Sequence, residues 1–151
     1  MLILKSAMDI EKEKRVSPAN ATKEIIQKFK AENRRLSGFG HRLHTNDPRT
    51  HKLFALAEKL GIAGDYCNLA KTFVIQLKET TGKDLPLNVD GAIAALLCEM
   101  DFDPILANGF FMIARVPGLI AHIYEEKTRQ KPMRKIHPTD VNYDGPENRS
   151  L

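Results

Sequence analysis

The sequence predicts an all-α fold. Apolar residues recur at helical spacing in successive segments, Ser, Asp and Gly residues that cap helices separate these segments, and no stretch alternates with the two-residue period of a strand. At 151 residues, with 42% hydrophobic and 28% charged side chains, the chain has the composition of one globular domain. Disordered and fibrous classes are therefore excluded.

The first sixteen residues have the weakest pattern. Residues 1–16 begin with an apolar tetrad and continue as a charge run with no clear helical or strand period, so we expect an N-terminal arm. Ser17 and Pro18 then have the residue types of an N-cap and a first helical position, and the helix they open extends to about Asn33. Its apolar face consists of Ile25, Ile26 and Phe29.

Residues 37–47 contain two glycines and no sustained period, which predicts a loop, and loops often carry functional residues. Asp47 and Pro48 start the next helix as cap and first residue, and Gly61 ends it. Its apolar stripe consists of Leu53, Leu56, Ala57 and Leu60.

Three further helices are predicted after this one. Gly64 opens a helix that Gly82 stops, and residues 91–100 are apolar on almost every side, which is typical of a helix buried between other elements. Residues 103–126 form a last apolar stretch, in which Pro117 stands where a continuous helix would kink. We expect this stretch to be core or interface, and the basic, Pro- and Asn-containing sequence after it to be an extended tail.

Charge and cysteine content leave several classes open. The net charge of +4 would suit nucleic acid, an acidic membrane or a polyanionic small molecule equally well. No stretch approaches the ~20 apolar residues of a membrane span, and Met1–Met8 is too short for a signal peptide, so we expect a cytoplasmic protein without a membrane partner. Cys67 and Cys98 lie apart without a CxxC pattern, which supports neither a metal site nor a disulfide framework.

Two candidate site residues lie near the predicted loop. His41 follows Gly38, Phe39 and Gly40, where missing side chains let a ligand approach the backbone, and histidine is the usual acid or base near neutral pH. The alternative is a capping or surface histidine. Arg49 lies in the first turn of a predicted helix, where free N–H groups favour an anion, although an exposed structural arginine fits equally well.

Two more candidates lie further along the chain. Asp90 stands where a turn meets the predicted buried helix, and an N-cap is its default explanation. Arg115 interrupts the apolar run FFMIARVPGLIA, and a buried guanidinium needs an anionic partner. That partner is either an internal Asp or Glu, or a carboxylate ligand held by two hydrogen bonds.

Three segments carry a family resemblance: GFGHRLHTNDPR at 38–49, LPLNVDG at 85–91 and FFMIARVPGLIAHIYEE at 110–126. In order and spacing they resemble three motifs of citrate synthase-like enzymes. The short link between His41 and the Asp-Pro-Arg, the glycine after Asp90 and the closing RKIHPTDVNYDG resemble citryl-CoA lyases and the lyase domain of ATP-citrate lyase.

The resemblance implies an all-α fold in which a small domain closes over a larger one around citrate or oxaloacetate and CoA. It also implies a homo-oligomer or a partner chain that supplies the large domain. The expected division of the chain is an arm at 1–16, a small domain at 17–100, a helical large-domain return segment at 101–130 and a tail at 131–151.

The resemblance also implies roles for individual residues. Asp90 would exchange a proton with the methyl group of acetyl-CoA, and His41 would hydrogen-bond the oxaloacetate carbonyl or take the hydroxyl proton of citryl-CoA. The CoA thioester is a substrate, and no permanently bound cofactor or metal is implied. The implied carboxylate-binding residues are Arg49, Arg115 and Arg134. The implied contacts with CoA are Gly38, Phe39 and Gly40.

One catalytic group of the family has no counterpart in this sequence. The family places a further histidine, which stabilises the thioester enolate, upstream of everything present here. Losing one such donor costs on the order of 3 to 4 kcal/mol in other enzymes, so we expect the isolated chain to be weak or inactive. The residues do not decide between synthase and lyase, since both run the same chemistry in opposite directions. The alternatives are a non-catalytic module that binds CoA or carboxylates and, without a recognisable motif, a nucleic-acid binder.

Overall fold

The structure, a computed structural model, describes residues 1–135 together with 137, 139 and 145. These residues form six α-helices and one short 3-10 turn, and they contain no strand, which confirms the predicted all-α class. In chain order the helices are α1 (Leu2–Lys14), α2 (Pro18–Ala31), α3 (Pro48–Lys59), α4 (Asp65–Thr81), α5 (Val89–Glu99) and, after the 3-10 turn Pro104–Leu106, α6 (Ala107–Arg129).

The helix limits follow from the capping residues seen in the sequence. The side chain of Ser17 accepts a hydrogen bond from the N–H of Asn20 at the start of α2. Gly82 ends α4 in the left-handed conformation, with φ at +68°, and its N–H donates to the carbonyl of Lys78. Both features satisfy backbone groups that a helix end leaves without partners.

The prediction of an arm at residues 1–16 is wrong. Most of this segment is α1, which ends at Arg15 in the left-handed conformation, and it packs against α2, α4 and α5. Leu4, Ala7 and Met8 are buried and belong to the core. Their spacing of i, i+3 and i+4 is a helical period, which the charged residues between and after them obscured.

The core lies where α1, α2, α4 and α5 meet. Phe73 of α4 is fully buried in it, and α3 packs against α5 beside it. The contacts divide the chain into a first unit, Met1–Ile113, and a second that begins at Ala114. The boundary predicted at residue 100 between a small domain and a return segment stays a prediction. The central side chains of the core are Leu4, Ile25, Ile26, Leu69, Phe73, Leu77 and Ala95.

Helix α6 contains Pro117 and has no buried residue. Ile113 is 70% exposed and Ile120 is 62% exposed, which is far more than a core position allows. The sequence predicted a helix of core or interface; Phe110, near its start, packs on Phe102, with ring centroids 4.7 Å apart, and most of its other large apolar side chains are exposed. The exposed apolar side chains of α6 are Met112, Ile113, Val116, Leu119, Ile120, Ile123 and Tyr124.

Two sequence expectations for this helix need correction. Arg115 is exposed, whereas its apolar neighbours had predicted a buried guanidinium. By length and composition alone, Pro104–Arg129 could cross a membrane, contrary to the expectation that no stretch approaches a span. A single helix of this kind is weak support for a membrane segment, since helices of soluble proteins pass the same test.

Candidate active site

The glycine loop before His41 is fastened to the segment that leads into α5. The N–H of Gly40 donates to the carbonyl of Pro86 at 2.7 Å, and the N–H of Asn88 donates to the carbonyl of Gly38 at 3.1 Å. Between them, Phe39 and Leu87 form an isolated antiparallel bridge. These contacts bring the loop that carries His41 to the start of the helix that carries Asp90.

Glycine is required where these two segments touch. A Cβ on Gly91 would lie 2.4 Å from the carbonyl oxygen of Gly38, and a Cβ on Gly38 would lie 3.0 Å from the Cα of Gly91. Gly38 also has φ at +95°, in the region that favours glycine. Both glycines are therefore explained by close approach of the backbone within the chain.

Asn88 caps α5 and also binds the glycine loop. Its Oδ1 accepts from the N–H groups of Asp90 and Gly91, at 3.0 and 3.1 Å, and its Nδ2 donates to the carbonyl of Gly40 at 2.9 Å. The cap position that the sequence assigned by default to Asp90 thus belongs to Asn88. Asp90 lies in the first turn, its side chain is exposed, and within residues 1–135 its carboxylate accepts no hydrogen bond.

Asp47 joins α3, α5 and Arg49. Its carboxylate is fully buried and accepts the N–H of Arg49 at 3.1 Å, which caps α3 as predicted. The same carboxylate accepts Nε and Nη2 of Arg49, at 2.9 and 2.8 Å, and the N–H of Val89 at 3.0 Å. The Asp-Pro sequence indicated the cap, but nothing in the sequence showed the bond to a residue in another helix.

The charges of this pair reinforce each other. The hydrogen bonds from Arg49 hold the pKa of Asp47 far below its usual range, although burial acts in the opposite direction. The pKa of Arg49 is raised, first by its hydrogen bond to Asp47 and, as a smaller contribution, by the charge of Asp90. Asp90 is therefore close enough to Arg49 to act on it electrostatically.

The hydrogen bonds of His41 define which ring nitrogen carries the proton. Nδ1 accepts the N–H groups of Leu43 and His44, at 3.1 and 3.0 Å. Because both partners are donors, Nδ1 is the unprotonated nitrogen of the neutral ring and Nε2 carries the hydrogen. His41 is thus prepared to donate a hydrogen bond through Nε2.

Two donors meet at one place on the exposed surface. Nη2 of Arg49 lies 3.4 Å from Nε2 of His41, and both atoms carry hydrogen. They cannot bond each other well, but an oxygen placed beside them can accept from both. The arrangement offers a site for a carbonyl or carboxylate oxygen, and the charge of Asp90 acts on the same arginine.

A groove of about 690 Å³ lies beside this site. Its lining includes Gly40 and His41, the end of α2 and the end of α4. The cations at this groove favour an anionic ligand. One of them, Arg34, is also paired with Glu32 at 2.8 Å. The basic residues of the lining, apart from His41, are Lys30, Arg34, Arg35, Arg42 and Lys83.

The backbone groups predicted to contact CoA have partners within the chain. The carbonyls of Gly38 and Gly40 both accept hydrogen bonds from Asn88, and the N–H of Gly40 is bonded to Pro86. The half-buried ring of Phe39 packs on Phe73, with centroids 5.6 Å apart. A role for Gly38, Phe39 and Gly40 in binding CoA stays a prediction, and it would have to use their surface.

Arg115 and Arg134 belong to the second unit. Arg134 makes two hydrogen bonds to Glu126, at 3.1 and 2.8 Å, and this pair is the described surrounding of its guanidinium. Their role in carboxylate binding stays a prediction. The closing sequence that carried part of the resemblance falls largely on residues outside those that the structure describes.

The fold and the site define a helical domain that gathers a histidine, an arginine and a carboxylate at the meeting of two loops. The model of the family "Citrate synthase, C-terminal domain" matches residues 3–139. The chain belongs to the citrate synthase family, which confirms the resemblance found in its motifs.

Individual relatives agree with this assignment. ATP-citrate synthase beta chain protein 1 of Arabidopsis thaliana is 29% identical over 137 residues, which are 80% of this chain and 22% of that protein. Citrate synthase 2 of Bacillus subtilis is 30% identical over 115 residues, covering 75% of this chain and 30% of that one. The structure of citryl-CoA lyase from Hydrogenobacter thermophilus matches with a TM-score of 0.70 and 39% identity, over 99% of this chain and 59% of that chain.

The coverage of these relatives is uneven. The chain spans between about a fifth and a third of the length of the two curated relatives, and 59% of the lyase chain. The match thus identifies the family and fold of this chain. It also shows that these relatives contain long regions without a counterpart in it.

Proposed function

We propose that this chain supplies the oxaloacetate- or citrate-binding part of a citrate synthase-type active site, in a protein that forms or cleaves the C–C bond between acetyl-CoA and oxaloacetate. The observation that carries this proposal is the meeting of two donors, His41 Nε2 and Arg49 Nη2, 3.4 Å apart, at an arginine on which the charge of Asp90 acts. Oxaloacetate offers the carbonyl and carboxylate oxygens that such donors bind.

Each residue has a defined task in the condensation. Asp90 removes a proton from the methyl carbon of acetyl-CoA, and the resulting enolate carbon attacks the carbonyl carbon of oxaloacetate. His41 donates through Nε2 to the carbonyl oxygen, on which negative charge develops, and transfers its proton to that oxygen to form the hydroxyl group, while Arg49 holds a carboxylate. Cleavage of citryl-CoA follows the same steps in reverse, with Asp90 returning the proton to carbon.

The groove beside His41 supports binding of the CoA thioester. Its cations match the phosphates of CoA, and its apolar lining includes Leu77 and Leu85. In this proposal the thioester is a substrate that enters and leaves, and no permanently bound group takes part. In this proposal the thioester end of CoA lies at the part of the groove that His41 lines.

The proposal includes a second structural component that completes the site. No histidine lies upstream of the glycine loop to stabilise the enolate, and among the residues that the structure describes the apolar face of α6 is exposed. The relatives contain long regions outside the match, and one of them is named a beta chain. A second copy of the chain or a large-domain partner would cover α6, and a large-domain partner would supply the absent donor.

Cleavage of citryl-CoA, followed as oxaloacetate release, tests the proposal. The assay compares the purified chain by itself with the complex that co-purifies with it. Each preparation is also made with Asp90→Asn. Asp84→Asn is the matched control, since Asp84 is also exposed and lies in the preceding loop. We expect only the complex to be active. Its activity should be lost in Asp90→Asn and kept in Asp84→Asn. An active assembly unaffected by Asp90→Asn would favour the non-catalytic module instead.

A further inference from the structure

We propose that Asp47 is a positioning residue that fixes both the guanidinium of Arg49 and the first turn of the helix that carries Asp90. A capping aspartate needs one oxygen for one backbone N–H, yet the carboxylate of Asp47 accepts four hydrogen bonds from two residues. Three come from Arg49, and the fourth comes from Val89 of α5, which precedes Asp90.

The chain contains a matched case of a plain cap. Asp103 also precedes a proline, and its side chain accepts the N–H of Ile105 at 2.9 Å at the start of a helical turn. Asp103 is exposed, whereas Asp47 is 0% exposed. Burying a carboxylate is costly unless it is fully hydrogen-bonded. The extra hydrogen bonds of Asp47 offset this cost, which a cap at the surface does not incur.

The contacts leave one side of Arg49 available. Asp47 holds Nε and Nη2, while the Arg49 side chain is 46% exposed and its Nη2 lies 3.4 Å from Nε2 of His41. A planar guanidinium held by two of its donors has a fixed orientation, so its remaining donors are aimed before the ligand arrives. The bond to Val89 ties the same carboxylate to the turn from which Asp90 projects.

Charge and orientation predict opposite effects when Asp47 is replaced by Asn. Removing a negative charge beside Arg49 would strengthen the binding of an anion if charge decided the affinity. Releasing Arg49 from its fixed orientation would weaken the binding, since the ligand would then have to order the arginine side chain, at a cost of about 0.5–1.5 kcal/mol or more, which is about two- to tenfold in affinity. The direction of the change therefore separates a positioning role from a simple charge effect.

The first readout is the affinity for oxaloacetate, measured by titration calorimetry on the chain. This readout rests on the function proposed above. We expect Asp47→Asn to weaken oxaloacetate binding about tenfold or more, and the control Asp103→Asn to leave it unchanged. Equal or tighter binding by folded Asp47→Asn would overturn the proposal. Asp47→Ser keeps a capping oxygen but not the second one, and we expect it to lose affinity in the same way.

A second readout needs no ligand. In ¹⁵N spectra, the Nε–H of Arg49 should exchange slowly with water in the wild type and rapidly in Asp47→Asn or Asp47→Ser. Rapid exchange in the wild type would overturn the positioning role. If Nε–H is protected and released as expected but oxaloacetate binds to no form, positioning stands and the proposed function fails.

Discussion

The N–H of Val89 donates a 3.0 Å hydrogen bond to the carboxylate of Asp47, a residue 42 positions earlier in the chain. This bond joins the first turn of α3 to the first turn of α5. Asn88 adds a second link, because its side chain binds the carbonyl of Gly40. Two segments distant in sequence thereby become one surface that carries His41, Arg49 and Asp90.

The contact between the two glycines predicts a steric effect. In Gly91→Ala, the new Cβ would lie 2.4 Å from the carbonyl oxygen of Gly38 and 2.5 Å from a methyl carbon of Leu87, so the loop must shift. We expect the free energy of unfolding, measured in urea, to fall by about 1–3 kcal/mol. Gly109→Ala is the control, since nothing lies within 4 Å of its Cβ position, and an unfolding energy of Gly91→Ala equal to the control would contradict the close packing.

Protonation of Asp47 is expected to destabilise the folded chain in acid. Its hydrogen bonds with Arg49 lower its pKa in the folded state below the unfolded value of about 3.9. The ionised carboxylate therefore stabilises the fold above about pH 4, and this contribution declines as the pH falls further. The free energy of unfolding, measured in urea between pH 7 and pH 3, should differ less between wild type and Asp47→Asn below pH 4 than above it. A difference that stays constant would argue against the ion pair.

The two cysteines are predicted to be unreactive thiols. Burial raises the pKa of Cys67 to about 11 and also raises that of Cys98. Only the thiolate reacts, so at pH 8 labelling with a disulfide reagent should be slow in the native chain and fast in urea. The neutral thiol of Cys67 stabilises the fold below about pH 8.5, and that contribution is lost as the pH rises towards 11. Immediate labelling of both thiols in native protein would disprove their burial.

The apolar face of α6 predicts association. Ile113, Val116 and Ile120 lie on one side of the helix and are exposed, a pattern typical of an interaction surface. We expect Ile120→Asp to shift the chain towards the monomer in sedimentation velocity. His122→Asp, which adds the same side chain on the opposite face, should have no such effect. A wild-type chain that sediments as a compact monomer would remove the basis for this surface.

Local chemistry predicted most of the fold. Ser17, Asp47 and Gly82 indicated helix limits because each satisfies backbone groups within a few residues of its own position. The exposure of Arg115 was not predictable in this way. Apolar neighbours indicate burial only where another element covers them, and coverage is a property of the whole assembly.

The candidate site was predicted as a set of residues but not as an arrangement. The motifs indicated His41, Arg49 and Asp90, and the roles of these residues stay a prediction. No sequence pattern indicates the hydrogen bond between Asp47 and Val89, since long-range contacts depend on how loops meet in three dimensions. The cap by Asn88 could have been found, because asparagine is a preferred N-cap residue ahead of an apolar helix.

The most direct test of a shared oxygen-binding site at His41 and Arg49 is a titration of the chain with oxaloacetate. It is followed by NMR through the imidazole signals of His41 and the Nε–H signal of Arg49. We expect both residues to respond together and saturably, and Arg49→Ala to abolish the response of His41. A lack of response in the wild type, or a His41 response that survives in Arg49→Ala, would contradict a shared oxygen-binding site at these two donors.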